Sequence, residues 1–275
     1  MAEVFRSLQL NQYHELFLKE NKRSDGRSFN SFRETEMKTN VVDTADGSCI
    51  VKLGNTTVIC GVKGSIVEKV ALSDDQGLLE VTISLPVNFT RWNKDQLKDQ
   101  EEVYAHKLNQ LLQDSGCFDV SQLAINSTHS WSLLLEAVVL DFDGNVIDAA
   151  FTAIIGSLMF ASLPVVTSTD GPNETFVFSP NESKKLALKS FPFSSTFCIM
   201  TNSGGNHLIL SDPTIEEETL SSGLLTAIID NASGKVVSVT KEGGHGVSEE
   251  EVIECCLKAT ERGKHLYQKL RNNCN

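Results

Sequence analysis

Alternating and β-branched apolar positions in the first third of the chain predict a β-hairpin. Residues 47–62 form two apolar-rich runs separated by Gly54 and Asn55. A Gly-Asn pair between two such runs is typical of a tight turn. Further strand-like runs lie at 79–86 and 133–142. This part of the chain is therefore predicted to be built largely from strands.

Helical spacing of apolar residues marks four other segments. Residues 11–21 predict a short amphipathic helix, and residues 100–113 a longer one that stops at Gly116. The apolar stretch from about residue 148 to 163 predicts a buried helix. The final helix begins at a capping box, Ser248 with Glu251, because serine and glutamate three residues apart satisfy each other's backbone N–H groups.

Strands followed by helices occur twice along the chain. A second set of strand-like runs follows a segment, 167–185, that is rich in Pro, Asn, Ser and Thr and is predicted to be a connector. The pattern predicts an α+β chain with two similar lobes, the first over about 30–165 and the second over about 190–262. The runs of the second lobe lie near 195–201, 207–212, 224–230 and 235–241.

Net charge limits the functions that fit this chain. The 275 residues carry 36 acidic and 24 basic side chains, for a net charge of −12 at pH 7. Affinity for a phosphate backbone is largely electrostatic, so a free-standing nucleic-acid-binding protein is disfavoured. Hydrophobic residues make up 40%, which excludes disorder as the main state because such a chain can bury a core.

The cysteine pattern and the hydropathy predict an intracellular protein. Seven cysteines form no Cys-x-x-Cys pair, and an odd number without a framework indicates free thiols in a reducing compartment. The first 21 residues lack the apolar run of a signal peptide. The most apolar stretch, 149–163, is too short to span a membrane. No membrane association is expected.

One candidate for catalysis is the pair Asp141 and Asp143, which ends an apolar strand as in haloacid-dehalogenase-like phosphatases. That chemistry needs further carboxylates downstream, yet the single Asp-Asp pair, Asp74-Asp75, lies upstream. An Asp-Gly hairpin turn at Asp143-Gly144 is the simpler interpretation. The six histidines are scattered without metal-ligand spacing, so neither a metal nor a cofactor is expected.

The richest acidic cluster runs from Asp212 to Glu218. Carboxylates at the end of a strand suit either a divalent cation or a general acid. The residues alone favour a solvated acidic loop.

Several of these segments together resemble the RNase PH family. The resemblance starts at Arg23-Ser-Asp-Gly-Arg27, is strongest over residues 46–62, and continues through 140–150 and 209–218. It covers nearly the whole chain in order, and is greatest to the RNase PH-like ring subunits of the eukaryotic exosome. It implies an RNase PH-like α+β fold (ribosomal protein S5 domain 2-like) and a six-membered ring of such chains.

The resemblance also lets the chemistry be tested position by position. Active members use phosphate to cut RNA from its 3′ end, and a Gly-Thr-Arg run holds that phosphate. This chain has Asn145-Val146-Ile147 there, and Lys107 is the one cation in the helical stretch 101–108 where active members carry arginines. Asp212 and Glu218 occupy the places of the family's paired aspartates and are interpreted as a degenerate remnant.

The resemblance therefore implies a non-catalytic structural subunit of the RNA exosome that supports 3′-to-5′ RNA processing and degradation, including that of ribosomal RNA, and helps to guide RNA. An active phosphorolytic 3′-to-5′ exoribonuclease is the alternative, and a phosphatase the second. Arg91 is the candidate RNA-binding residue, since related subunits carry arginine near this place. The implied partners are other RNase PH-like subunits, cap subunits and RNA, in the nucleus (nucleolus) and the cytoplasm.

Overall fold

Two β-sheets flanked by helices organise the chain in the computed structural model, which describes residues 9–68, 79–86, 93–126, 128–168, 176–201, 207–244 and 246–272. The elements follow one another as α1 (Leu10–Lys19), β1 (Thr35–Thr39), β2 (Gly47–Leu53), β3 (Thr56–Glu68), β4 (Leu79–Ser84), α2 (Lys94–Ser115), β5 (His129–Asp141), α3 (Val146–Phe160), β6 (Ser162–Ser168), β7 (Phe176–Lys185), β8 (Pro192–Thr201), β9 (His207–Ser211), α4 (Ile215–Leu220), β10 (Gly223–Asp230), β11 (Lys235–Gly243) and α5 (Glu249–Asn272).

The first sheet contains the predicted hairpin. Its strand order is β1-β2-β3-β5-β4, antiparallel except for β4, which runs parallel to β5. Gly54 has a φ of +58°, and Leu53 pairs with Thr56 across the turn, as the sequence predicted. Cys49, Val51 and Leu53 alternate into the core, which fixes the register because a one-residue slip would expose them.

The second sheet is fully antiparallel, in the order β11-β10-β8-β9. All four of its strands lie where the sequence predicted them. Helix α5 packs against β8 and β10, with Cys255, Ala259 and Leu266 buried along its inner side. Its capping box is formed, since the Ser248 and Glu251 side chains each bond to the other's backbone N–H.

Helix α3 connects the two halves of the core. It packs against β2 and β3 of the first sheet and β8 of the second, and every residue from Ala149 to Leu158 is buried. A helix that is apolar all round must be covered on all sides. The sequence prediction of a buried helix here is confirmed, and its N-terminus lies where the two sheets meet.

Helix α2 begins earlier than predicted, at Lys94 rather than near residue 100. Asn93 and Gln96 form a capping box that the sequence analysis missed. The helix stops at Gly116, whose φ of +53° is the left-handed conformation expected there.

Part of the segment predicted as a connector, Phe176–Lys185, is a strand. Strands β6 and β7 pair antiparallel as a separate two-stranded sheet, so residues of the predicted connector contribute to both strands. Across the described ranges no helix is both long and apolar enough to cross a membrane. The six cysteines in those ranges all carry free thiols.

Candidate functional site

Asn145, the residue that precedes helix α3, joins three carboxylate side chains. It is buried, and its φ of +53° places it in the left-handed region that asparagine tolerates. Its Nδ2 donates to Asp212 Oδ1 at 2.7 Å and to Asp148 Oδ2 at 2.9 Å. Its backbone N–H donates to Glu218 Oε1 at 2.7 Å. The site is therefore centred on the N-terminus of α3.

Asp212 is held by arginines from the segment that precedes β1. Arg33 donates from Nη2 to Oδ1 at 2.8 Å and from Nε to Oδ2 at 2.9 Å, and its backbone N–H also reaches Oδ2. Arg27 adds a bond of 3.2 Å. Burial alone would raise the pKa of Asp212, but the hydrogen bonds and charge of Arg33, with Arg262 and Asn145, hold that pKa below its ordinary range. Asp212 is thus a carboxylate that its arginine partners keep ionised at neutral pH.

Glu217, one residue before Glu218, is buried against Arg23. The Arg23 guanidinium bonds to both carboxyl oxygens of Glu217 and also donates to the backbone carbonyls of Ser211 and Asp212. Both side chains are almost completely buried. The expectation that 212–218 forms a solvated acidic loop is therefore wrong, since arginines distant in sequence neutralise two of its carboxylates.

Glu218 occupies the position at the α3 N-terminus where a helix attracts an anion. Its carboxyl accepts the Asn145 N–H and borders a cavity of about 190 Å³. Burial, with smaller contributions from the charges of Asp212 and Asp148, raises the pKa of Glu218 to about 7, although the Asn145 N–H bond and the charge of Arg33 oppose the rise. The chain's own carboxylate therefore takes the place that an anionic ligand would need.

Helix α2 and strand β11 form the opposite wall of this cavity. Lys107, the cation singled out in the sequence, pairs with Glu242 through a bond of 2.7 Å. Ile147 and Val146 line the cavity at the start of α3. Burial raises the pKa of Tyr104, so its phenol stays neutral. Neither wall offers a cation that lacks a carboxylate partner among the described residues.

A further buried carboxylate, Asp148 in the first turn of α3, was not predicted from the sequence. It accepts hydrogen bonds from the side chains of Thr196, Asn145 and Arg262 and from the Thr196 backbone. The signal that could have revealed it is an aspartate inside an otherwise apolar helix, because a buried carboxylate requires a partner. Nothing in the local sequence around Arg262, Arg23 and Arg33 indicates that these arginines bind buried carboxylates.

Of the other sequence candidates, Asp143 lies at the edge of this site, where its backbone carbonyl accepts a bond of 2.8 Å from Arg33. Arg91 falls within 87–92, outside the described residues. Asp74 and Asp75 also lie outside the described residues, within 69–78. Asp143 belongs to the turn after β5, where it accepts a bond from Asn55. Among the described residues no group of three or more His, Cys, Asp and Glu side chains could hold a metal ion.

The sequence matches two profiles of one family over most of its length. Residues 31–164 match domain 1 of the 3′ exoribonuclease family described as RNase PH, and residues 190–262 match its domain 2. These two ranges contain the first and second sheets. The match overturns the phosphatase alternative.

Relatives of the same kind are found among curated proteins and solved structures. The chain is 31% identical over 268 residues to the exosome complex component Rrp42 of Methanosarcina acetivorans, covering 97% of this chain and 94% of that one. It is 29% identical over 243 residues to the exosome complex component rrp43 of Schizosaccharomyces pombe, with 88% and 87% covered. A structure described as the Archaeoglobus fulgidus exosome with RNA bound to the active site contains a chain of 26% identity that aligns with a TM-score of 0.77 over 98% of each.

Proposed function

The chain belongs to the RNase PH family of 3′ exoribonucleases, and we propose that it is a non-catalytic ring subunit of an RNA exosome. Curated relatives named as exosome complex components, from an archaeon and from a fission yeast, support the assembly. The alternative within the same family is an active phosphorolytic exoribonuclease. The two differ in whether the cavity at the start of α3 can bind phosphate.

The charge of this cavity is the observation that carries the proposal. Phosphorolysis needs cationic or donor groups around the attacking phosphate and a carboxylic acid that can move a proton. Here the Asn145 N–H is already bonded to Glu218, and Lys107 is already paired with Glu242. Asp212, in the place of a family aspartate, is buried and ionised between arginines. A phosphate in this cavity would face carboxylates.

A phosphorolysis assay tests the proposal directly. The purified chain, incubated with single-stranded RNA, magnesium and inorganic phosphate, is expected to release no nucleoside diphosphates. The matched control is the Asp212→Ala variant under the same conditions. Nucleoside diphosphate release by the wild-type chain that disappears in this variant would assign the active alternative instead.

The proposed role in the complex is architectural and RNA-guiding, in support of 3′-to-5′ processing and degradation. With a net charge of −12 the isolated chain is expected to bind RNA weakly. Binding would then depend on basic residues of the assembled ring, and Arg91 is the proposed contribution of this chain. We propose that the ring has six RNase PH-like members and carries cap subunits.

A closed ring of unlike chains requires two different contact surfaces on each subunit. Strands β11 and β9 are the outer strands of the second sheet, and Val236 and Val239 on β11 are exposed. Outer strands with exposed apolar side chains favour association with permanent partners. We propose that these contacts form in the nucleus, including the nucleolus, and in the cytoplasm.

Affinity purification followed by mass spectrometry tests the assembly. Other RNase PH-like chains are expected in stoichiometric amounts, and coexpression with them is expected to raise the melting temperature, because a partner that binds the folded state stabilises it. Elution from cell extract as a free 30.1 kDa species would contradict the role.

A further inference from the structure

Where it meets the N-terminus of α3, the cavity is lined by hydrogen-bond acceptors without a bonded donor. Glu218 contributes its carboxyl, and the structure shows no hydrogen bond to Oε2 from any residue in its described ranges. Glu218 Oε1 is engaged by a single donor, the Asn145 N–H. The carboxylate therefore retains an acceptor atom with no bonded donor among the described residues, in a side chain that lines this cavity.

Asn145 supplies a second, independent observation. This residue lines the cavity and is 99% buried, with an exposed fraction of 1%. Its Oδ1 is buried and has no hydrogen-bond partner within the described part of the chain. The orientation of the amide is fixed, because Nδ2 donates to two carboxylates and a flipped amide would place an oxygen against them. An unsatisfied acceptor of this kind costs free energy until a donor reaches it.

The rest of the cavity distinguishes between possible ligands. Val146, Ile147 and Leu224 give it apolar walls, while Thr226 and Thr240 add hydroxyl groups. An inorganic anion would be repelled by Glu218, and the cation across the cavity, Lys107, is already paired with Glu242. A group that carries several N–H donors, a positive charge and an apolar stem matches both the acceptors and the walls.

We propose that this cavity binds a guanidinium or alkylammonium group, whose N–H donors would reach Glu218 Oε2 and Asn145 Oδ1. Two sources share this chemistry, an arginine or lysine side chain of a partner chain and a free organic cation. The inference rests on the proposed loss of phosphate binding at the same cavity. Cation binding and phosphorolysis are measured separately, so the two can fail independently.

Isothermal titration calorimetry of the full chain with agmatine at pH 8 tests the proposal. The wild-type chain is expected to bind one agmatine saturably. Glu218→Gln keeps the shape of the side chain and its bond to Asn145, and is expected to weaken binding by at least about tenfold. Glu102→Gln is the matched control, because it removes the same charge from an exposed position of α2. Its affinity should stay within about twofold of the wild type.

The pH dependence gives a second readout that needs no variant. The charged or titratable groups around Glu218 are Asp212, Asp148 and Arg33 on the protein side, and Tyr104, Lys107 and Glu242 across the cavity. Because the pKa of Glu218 is raised to about 7, its ionised fraction increases between pH 6 and pH 8. Agmatine affinity is expected to rise roughly tenfold over this range in the wild type and to stay flat in Glu218→Gln.

Two results of the agmatine titrations would contradict the proposal. Absence of saturable agmatine binding, or equal weakening by Glu218→Gln and Glu102→Gln, would overturn the proposal. A parallel titration uses the capped peptide acetyl-Gly-Arg-Gly-amide. Tighter binding of the peptide supports a partner's side chain as the occupant, and tighter binding of agmatine supports a free cation.

Discussion

Asp212 and Glu218 bond to the same residue, Asn145, yet their carboxyl groups are perturbed in opposite directions. Asp212 accepts the Asn145 side chain together with Arg33, and its pKa lies below its ordinary range. Glu218 accepts the Asn145 backbone N–H without a directly bonded cation, and burial raises its pKa to about 7. The two carboxylates therefore differ in role, Asp212 as a structural anion and Glu218 as a titratable group of the cavity.

Glu218 should make folding stability depend on pH near neutrality. A carboxyl whose pKa is raised in the folded state contributes stability that is fully present below its ordinary pKa of 4.5 and is lost as the pH rises through about 7. Glu218→Gln is therefore expected to be more stable than the wild type at pH 8, by about 1–3 kcal/mol, and to lose this advantage towards pH 4.5. Urea denaturation at a series of pH values measures the difference in stability. The other titrating groups are common to both proteins, so their contributions cancel in this difference.

A difference between the two proteins that stays constant from pH 5 to pH 8 would contradict the raised pKa. Glu102→Gln serves as the control, because this exposed glutamate should leave the pH profile of the wild type unchanged.

Asp212→Asn should destabilise the fold strongly. The substitution removes the charge that balances the buried Arg33 guanidinium, and breaking a buried pair from one side leaves an uncompensated charge. The expected loss is about 3–5 kcal/mol at pH 7, measured by urea denaturation. Because the pKa of Asp212 is depressed, this contribution is present above its ordinary pKa and lost only in strong acid.

Asp119→Asn is the matched control for that change. Asp119 forms its ion pair with Lys189 at the surface, where solvent screens the interaction. Its substitution should alter stability far less than Asp212→Asn. Equal effects of the two substitutions would refute the structural role of Asp212.

Two helical glycines should respond oppositely to alanine. A Cβ on Gly156 of α3 would lie 2.6 Å from Cys49 Sγ, whereas a Cβ on Gly263 of α5 would meet nothing within 4 Å. Gly263→Ala is expected to stabilise by about 0.5–1 kcal/mol through helix propensity. Gly156→Ala is expected to destabilise by about 1–3 kcal/mol, because overpacking outweighs the same gain. Thermal and urea unfolding of both variants measure the contrast, and stabilisation by both would contradict the packing of α3 on β2.

Arg91→Glu should lower the RNA affinity of the assembled complex if Arg91 faces RNA. Replacing a phosphate contact with a like charge should weaken binding to all sequences and reduce the salt dependence. Fluorescence anisotropy with a single-stranded RNA at two salt concentrations measures both. Arg271→Glu, an exposed charge reversal near the end of α5, is the control. Unchanged affinity in Arg91→Glu defeats the assignment.

The local patterns were sufficient for most of the secondary structure. The hairpin turn at Gly54, the stop at Gly116 and the capping box at Ser248 each depend on residues within a few positions of one another. Periodicity likewise predicted the buried helix α3 and the four strands of the second sheet. The start of α2 was placed about six residues too late, because its cap at Asn93 precedes a polar first turn that shows no apolar period.

The proposal that the site does not bind phosphate also begins from the chain's own residues. Asn145-Val146-Ile147 and the single cation of 101–108 are visible in the sequence, and the resemblance gives those positions their meaning. The partners of Asp212, Glu217 and Glu218, and the shifted pKa values of Asp212 and Glu218, are decided only by tertiary structure. Arg23 reaches Glu217 from 194 residues away in the chain, and Arg33 reaches Asp212 from 179 residues away. A carboxylate's charge state depends on its burial and on its neighbours in space. For this reason the acidic run predicted to be a solvated loop is, in the structure, part of a buried ionic network around Asn145.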